Sequence, residues 1–269
     1  MKFDFHTHHY RCGHAKGQIR DYIEVAIEKG LTMIGISDHS PYFADADDHP
    51  QPGITMAKSE FPRYIEEVLA LKQEYEGRIE VLLGVESDYY PESAELYSSI
   101  YAQYPFDYVI GSVHQVGGVS IFNKKRWTKL NMQEKIATKT AYYELIAESA
   151  RSGMFDILGH IDAMRGYYPE FADIPAEDAV RNALRTIAEC DVAIEINTSG
   201  KTKDCGGWYP TDELLRWALE HGVKVTLGSD AHIPSRVADE WDEVRQRLKE
   251  IGFQEWAIFR NRQRTMVAL

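Results

Sequence analysis

The chain has 269 residues, and its 30 Lys and Arg against 42 Asp and Glu give a formal net charge of −12 with histidine neutral. This acidity argues against a general nucleic-acid-binding protein, because neutralising phosphates requires clustered Lys and Arg. The composition is that of an ordinary globular protein, and no apolar run approaches the roughly 18 residues needed to span a bilayer.

Seven short β-rich runs alternate with helical patterns along the chain. In chain order they are Lys2–Phe5, Met33–Ser37, Glu80–Val85, Tyr108–Val113, Phe155–Leu158, Val192–Ile196 and Lys224–Gly228. Strands that alternate with helices are typical of parallel β/α units. No linker or clear internal repeat divides the chain, and an α/β barrel takes about 250 residues. We therefore expect one domain over residues 1–269.

Between these runs, apolar residues recur at helical spacing, and most of the segments end at a glycine. The predicted helices cover 19–27 before Gly30, Tyr64–Tyr75 before Gly77, Met132–Ser152 before Gly153, a segment opened by Pro175, and a segment from Leu214 that ends at Gly222. Proline suits the first turn of a helix, where its missing N–H costs nothing. We assign the apolar stripes of these helices to packing.

Imidazole and carboxylate groups follow six of the seven predicted strands. They are His6 and His8, His39, Glu86, His114, His160, and Asp230 with His232. The carboxyl ends of parallel barrel strands emerge on one face, so we expect these side chains to converge. Burying so many of them together without a cation would be costly, and divalent metals take both group types as ligands. The pattern predicts a site for several metal ions.

Short motifs around these residues resemble the polymerase-and-histidinol-phosphatase (PHP) family. They are His6-Thr7-His8, Gly13-His14, Ser37-Asp38-His39, Gly84-Val85-Glu86, Gly111-Ser112-Val113-His114, Gly159-His160-Ile161-Asp162 and Gly228-Ser229-Asp230-Ala231-His232. The segments Glu86–Pro91 and Glu195–Gly200, followed by Tyr209-Pro210, resemble the monofunctional histidinol-phosphatases in particular. The resemblance extends to about residue 235 and implies an α/β fold, a distorted (β/α)7 barrel of the TIM-like PHP type.

The resemblance also implies a ligand role for nine residues. His6, His8, Glu86 and Asp230 would hold a first metal ion, Glu86 would bridge to a second ion held by His114 and His160, and His14, His39 and His232 would hold a third. All nine side chains are present. Zinc suits the imidazole-rich sets, and manganese or iron are alternatives.

The activity that the resemblance implies is hydrolysis of L-histidinol phosphate to L-histidinol and phosphate, a step of histidine biosynthesis. Metal-activated hydroxide would attack phosphorus directly, so no Cys or Ser nucleophile is required. Asp162 is the candidate general acid, with an alternative role in orienting a ligand histidine. Arg165 is the candidate phosphate clamp, with a surface ion pair as its alternative.

Two further segments are candidates for contact with the substrate. Lys201 and Asn197 are candidate contacts for phosphate or substrate, and a solvent-exposed lysine is the alternative for Lys201. The loop Gly117–Trp127 is expected to be either a lid or wall of the site or an ordinary surface loop. His49 and His221 are expected to lie outside the site.

Cysteine usage and the N-terminus favour the cytoplasm. Three cysteines, an odd and widely spaced set, are unlike a disulfide framework, and the first residues do not resemble a signal peptide. Cys12 is interpreted as a small neighbour of the site, with redox or metal sensitivity as the alternative. His9 is expected at the surface or behind a metal ligand.

Three other functions remain to be separated from this prediction. The PHP family includes phosphoesterases and exonucleases that act on nucleotides or nucleic acid, against which the acidity and length argue. A non-catalytic metal-binding homologue is the second alternative. An amidohydrolase-type barrel is the third alternative. Such barrels generally use a carboxylated lysine to bridge their metal ions, whereas Glu86 and His114 occupy the informative positions in this chain.

Overall fold

The computed structural model describes residues 1–269 and contains twelve strands and seven α-helices. The strands are β1 Phe3–Asp4, β2 Met33–Ile36, β3 Glu80–Leu83, β4 Glu86–Asp88, β5 Ile110–Ser112, β6 Gln115–Val116, β7 Val119–Ser120, β8 Ile157–Leu158, β9 Ala193–Asn197, β10 Lys224–Gly228, β11 Glu255–Arg260 and β12 Gln263–Ala268. The helices are α1 Ile19–Glu28, α2 Phe61–Glu74, α3 Ala94–Tyr101, α4 Met132–Arg151, α5 Glu177–Glu189, α6 Asp212–His221 and α7 Trp241–Ile251.

The parallel strands form a closed ring. One sheet has the order β1-β2-β3 and the other β10-β9-β8-β5-β4, and β3 runs into β4 through Gly84 and Val85. On the opposite side, the N–H of Phe5 donates to the carbonyl of Leu227 (3.1 Å), which joins the chain after β1 to β10. The seven predicted runs are therefore neighbours around one barrel, and the prediction of a distorted (β/α)7 barrel is confirmed.

Two glycines in the ring make room for the side chain of Tyr108. A Cβ added at Gly35 or Gly84 would lie 2.0 or 2.3 Å from atoms of the Tyr108 side chain. The hydroxyl of this buried tyrosine donates to the carbonyl of Phe5 at 2.5 Å. One aromatic residue thus ties the fourth predicted run to the first.

Several elements outside the ring were not predicted. Helices α3 and α7 and the antiparallel β11–β12 hairpin lie in segments without a predicted element. The hairpin packs against the first strand, with Trp256 edge-on to Phe3 (4.7 Å) and Phe259 edge-on to Phe5 (5.8 Å between ring centroids).

The helix predictions differ from the structure mainly at their ends. Helix α5 begins at Glu177 after the N-cap residue Ala176, so the prediction that Pro175 opens the helix is wrong by two residues. Gly222 has the predicted left-handed conformation at the end of α6 (φ +76°). The core forms a single cluster of 73 buried residues, and one domain over 1–269 stays a prediction. None of the helices is both long and apolar enough for a membrane span.

Candidate metal centre

The carboxyl end of the ring brings all nine predicted ligands together. A cavity of about 500 Å³ opens there, and seven of the nine line it: His14, His39, Glu86, His114, His160, Asp230 and His232. His6 and His8 lie beneath, with 0% and 1% of their surfaces exposed. The chain turns that follow six different strands thus supply one site.

Five imidazoles surround the carboxylate of Glu86. Its Oε2 lies 2.8 Å from His39 Nδ1, 3.4 Å from His6 Nε2 and 3.6 Å from His8 Nε2, and its Oε1 lies 3.1 Å from His160 Nε2 and 3.5 Å from His114 Nε2. The Ser112 hydroxyl donates to Oε1 at 2.7 Å and fixes its direction. This arrangement suits a carboxylate shared between two cations.

A second group of imidazoles lies beside the first. His14 and His232 face each other with their Nε2 atoms 2.9 Å apart, and the rings of His8 and His232 stack at 4.1 Å. Potential ligand atoms of His8, His39 and His232 lie within 4.8 Å of one another. Asp230 joins the two groups, because its Oδ1 lies 3.0 Å from His8 Nε2 and 3.4 Å from His232 Nδ1.

The lone pairs at the floor of the cavity fit a divalent ion. Nε2 of His6, Nε2 of His8 and Oε2 of Glu86 are buried and have no hydrogen-bond partner within the protein. Leaving such groups unsatisfied costs about 1–3 kcal/mol each, whereas coordination would use all three lone pairs. Mixed imidazole and carboxylate donors are suited to zinc and to several first-row transition metals.

The electrostatics of the site favour an ionised Glu86 and a neutral His232, the states in which these two groups can bind a metal ion. Burial alone would raise the pKa of Glu86, but His39, His6 and His114 hold this pKa well below its usual range. Burial lowers the pKa of His232 to about 3 despite the nearby Asp230 carboxylate. Glu86 is therefore an ionised carboxylate and His232 a neutral imidazole at pH 7.

Three carboxylates outside the predicted ligand set hold the far side of ligand imidazoles. His6 Nδ1 lies 2.8 Å from Glu195 Oε2, His8 Nδ1 lies 3.2 Å from Asp38 Oδ1, and His114 Nδ1 lies 2.7 Å from Asp88 Oδ1. Such contacts fix the tautomer and orientation of ligand histidines. All three carboxylates fall within the motifs noted above. Their presence in these motifs was the available signal for this role.

Asp162 and Arg165 lie in the wall behind the cavity and do not line it. Asp162 Oδ2 accepts from the Thr211 N–H (3.0 Å) and from Arg165 Nε (3.3 Å). Arg165 also donates to the carbonyl of Trp208, and its guanidinium lies over the ring of Tyr209. Arg165 is 8% exposed, so a surface ion pair is excluded. Both side chains hold the segment 208–211, from which Tyr209 reaches the cavity.

Asn197 and Lys201 also do not line the cavity. The Asn197 amide donates to Glu195 Oε1 (2.7 Å) and lies 3.4 Å from Asp230 Oδ2. The side chain of Lys201 is half exposed, and its Nζ lies 3.7 Å from a Glu240 carboxylate oxygen. Asn197 therefore contacts the carboxylate of Asp230, a predicted ligand, and Lys201 occupies the exposed position that was its alternative.

Two cationic side chains that the sequence did not single out do line the cavity. They are Lys203, two residues after Lys201, and Arg236, four residues after His232. Arg236 is ion-paired with Asp239 at 2.6 Å, and Lys203 lies over the ring of Tyr167. Their closeness to predicted site segments was the only signal in the sequence. These two residues supply positive charge next to the imidazoles.

The loop Gly117–Trp127 contributes to the wall of the cavity. It carries β7, and its Phe122 lines the cavity edge-on to Tyr167, with 6.1 Å between ring centroids. Trp127 is buried and stacks on Tyr168 at 4.9 Å. The loop is therefore anchored at Trp127 and presents Phe122 to the cavity.

The remaining histidines and Cys12 lie outside the set of ligands. His9 is fully buried with Nδ1 at 3.2 Å from Asp38 Oδ2, so a surface position is excluded. His49 contacts the carbonyl of Thr55, and His221 ends α6 away from the cavity. Cys12 is buried, and its thiol donates to the carbonyl of His9.

Comparison with known proteins gives consistent matches over nearly the whole chain. Residues 4–199 match the family model of the PHP domain. A probable histidinol-phosphatase from Deinococcus radiodurans is 32% identical over 252 residues, 93% of each chain. The histidinol-phosphatase of Bacillus subtilis is 29% identical over 267 residues, which cover 92% of this chain and 99% of the relative.

The fold also matches a solved structure. The crystal structure of histidinol phosphate phosphatase from Lactococcus lactis, complexed with Zn, L-histidinol and phosphate, superposes with a TM-score of 0.82. The two chains are 23% identical, and the match covers 98% of each. This likeness shows that the barrel described above is a known fold.

Proposed function

This chain belongs to the PHP family, and from that premise we propose that it is a metal-dependent phosphatase that hydrolyses L-histidinol phosphate to L-histidinol and phosphate. The observation that carries the proposal is the carboxylate of Glu86 among five imidazoles at the floor of a cavity of about 500 Å³. Relatives named histidinol-phosphatase match more than nine-tenths of the chain. A cavity of this size suits a small phosphate monoester.

The nine ligands would hold three divalent ions, with zinc as the first choice and manganese or iron as alternatives. His6, His8, Glu86 and Asp230 would hold one ion, Glu86, His114 and His160 a second, and His14, His39 and His232 a third. Bound ions of this kind neutralise charge on phosphoryl oxygens and activate water for in-line attack on phosphorus. The buried lone pairs of His6, His8 and Glu86 support this assignment.

The protein's own side chains position the substrate. Lys203 and Arg236 line the cavity and would attract the phosphate dianion. Phe122, Tyr167 and Tyr209 supply flat apolar walls for the rest of a small substrate. We propose that Asp162 and Arg165, predicted as acid and phosphate clamp, act through the segment 208–211 by fixing the position of Tyr209.

The test is phosphate release from L-histidinol phosphate by the metal-loaded protein, compared with hydrolysis of single-stranded DNA and of nucleotides. We expect kcat/KM for the monoester to exceed that for phosphodiesters by orders of magnitude. Equal values would favour the nucleotide or nucleic-acid phosphoesterase. Full metal occupancy without any phosphate release would favour the non-catalytic homologue.

A further inference from the structure

The carboxylate of Glu195 lies beneath the metal centre and contacts three strands of the ring. Glu195 is on β9 and is 1% exposed. Its Oε2 lies 2.8 Å from His6 Nδ1, after β1, and its Oε1 accepts from the backbone N–H of His160 (2.9 Å), after β8. The amide of Asn197 also donates to Oε1 at 2.7 Å. Space for this carboxylate is provided by Gly228, where an added Cβ would lie 2.3 Å from Oε2.

The direction of each hydrogen bond at Glu195 is fixed by its partners. A backbone N–H can only donate, so the bond from His160 makes Oε1 an acceptor. The Asn197 amide cannot be reversed without loss, because its Oδ1 accepts from the Ser199 N–H at 3.0 Å. Oε1 therefore receives two donors. Oε2 is left to accept from His6 Nδ1, which must carry a proton.

A protonated Nδ1 leaves the lone pair of His6 on Nε2. That nitrogen lies 3.4 Å from Glu86 Oε2 and 3.8 Å from Asp230 Oδ1 and has no hydrogen-bond partner of its own. The same carboxylate also holds the peptide of His160, whose φ of +27° is unfavourable for a side-chain-bearing residue. One group thus constrains ligands on both sides of Glu86.

We propose that Glu195 is the positioning residue that sets His6 in its metal-binding tautomer and holds His160 in its strained backbone conformation. The inference rests on the metal site of the proposed function. It assigns to Glu195 no contact with substrate. Its effect is exerted through His6 and His160 alone.

Glu195→Gln tests the proposal with a nearly isosteric change. The His160 N–H and the Asn197 amide both donate to the Oε1 position, so they hold the oxygen of the introduced glutamine amide there. Its NH2 group then faces His6 Nδ1. His6 must then accept at Nδ1 and carry its proton on Nε2, where it cannot bind a metal ion. Changes at residues that support ligand histidines lower metal affinity by about 10–100-fold, and we expect Glu195→Gln to lower it by at least about 100-fold. Elemental analysis should find about one ion fewer per chain than in the wild type.

Asp88→Asn is the matched control, because its surroundings allow the amide to rotate. Asp88 Oδ1 lies 2.7 Å from His114 Nδ1, and the Tyr90 hydroxyl donates to Oδ2 at 3.0 Å. A hydroxyl can donate or accept, so the introduced amide can keep its oxygen towards His114. We expect this variant to lose less metal than Glu195→Gln. Equal losses in the two variants, or full retention in Glu195→Gln, would overturn the proposal.

Circular dichroism of both variants separates this effect from misfolding. The proposal requires a folded barrel that lacks one ion, so a Glu195→Gln protein without native ellipticity contradicts it. Glu195→Asp, which keeps an acceptor for His6, should bind the ion more tightly than Glu195→Gln. These readouts need no substrate. A wild type that binds metal but does not cleave L-histidinol phosphate would therefore refute the proposed function and leave the role of Glu195 standing.

Discussion

His39 and Glu86 are joined twice: their backbones form a parallel β-bridge, and His39 Nδ1 lies 2.8 Å from Glu86 Oε2. The bridge brings the ends of two neighbouring strands together at the point where the side chains meet. A carboxylate held in this way cannot withdraw from the imidazoles around it. The metal centre is therefore built into the ring itself.

The first prediction concerns Glu86→Gln, which keeps the shape of the side chain and removes its charge. We expect kcat to fall by at least ~10³-fold, on the scale of losing a key electrostatic stabiliser. Steady-state phosphate release with excess metal measures this. Ser112→Ala, which removes only the hydrogen bond to Oε1, is the control and should lose far less. Near-normal turnover of Glu86→Gln would rule out a bridging role.

The second prediction separates the cations that line the cavity from those that do not. Arg236→Ala and Lys203→Ala should each lower kcat/KM by roughly 10–100-fold, because a charged hydrogen bond is worth about 1.5–3 kcal/mol. Lys201→Ala removes a lysine two residues from Lys203 that faces Glu240, and its kcat/KM should be unchanged. If Lys201→Ala is the damaging variant, the sequence-based assignment of phosphate binding to Lys201 was correct.

The third prediction concerns the buried pair of Arg165 and Asp162. Burial raises the pKa of Asp162, and Arg165 opposes this rise. Arg165→Ala would leave the carboxylate buried without its charged partner, a change that typically costs about 3–5 kcal/mol. We expect a clear drop in thermal unfolding temperature together with reduced activity. Loss of phosphate affinity at unchanged thermal stability would instead identify Arg165 as a direct phosphate clamp.

The fourth prediction is a pH dependence of the metal-free protein. Burial opposes protonation of both His8 and His114. The carboxylates of Asp230 and Asp38 nevertheless raise the pKa of His8 to about 9. Those of Asp88 and Glu86 raise the pKa of His114 to about 9. Both values lie above the ordinary pKa of about 6.5. The stability that these groups contribute is thus fully present below about pH 6.5 and is lost as pH rises through 9.

Thermal unfolding of chelated protein between pH 6 and 9.5 measures this loss. The lowered pKa of His232 acts only near and below about pH 6.5, where an unfolded imidazole binds a proton that the folded one does not, so the loss is measured from pH 7.5 upwards without its contribution. Metal binding at pH 7 should release protons, which calorimetry in buffers of different ionisation enthalpy detects. A metal-free protein that becomes more stable from pH 7.5 to 9 would contradict the prediction.

The fifth prediction concerns thiol reactivity. Burial and the neighbouring Asp38 raise the pKa of Cys12 far above its usual value, and only the thiolate is reactive. A thiol reagent at pH 8 should modify the exposed Cys190 rapidly and Cys12 only after denaturation. Cys190→Ser should reduce the fast phase to what the partly buried Cys205 contributes. Rapid labelling of Cys12 in the native protein would restore the hypothesis of a redox-sensitive neighbour of the site.

The strand ends were predictable because each depends on local information. A β-rich run followed by His or Glu can be recognised within about ten residues. Parallel topology then places the carboxyl ends of all such strands on one face of the barrel. The position of His9 was not predictable from strand alternation, because β1 ends at Asp4 and the chain beyond it is no longer extended in a regular strand. Beyond Asp4, the alternation of a strand does not decide which way the His9 side chain points.

The cationic walls and the positioning carboxylates depend on tertiary contacts. Lys203 and Lys201 are two residues apart in one loop, and only the path of that loop decides which of them lines the cavity. Glu195 stood in a motif that was noticed, but its role follows from contacts with residues 189 and 35 positions away. No local pattern encodes such contacts. They emerge when the ring closes.

The hydrogen bond from Phe5 to Leu227 has a consequence for biosynthesis. The barrel can close only after the last ring strand has left the ribosome and can pair with the first. Pairing between strands so far apart in the sequence is intrinsically slow. Until then the nascent chain presents an open strand edge, a known hazard for aggregation. No site with all nine predicted ligands can form before Asp230 and His232 have been translated, more than 220 residues after His6.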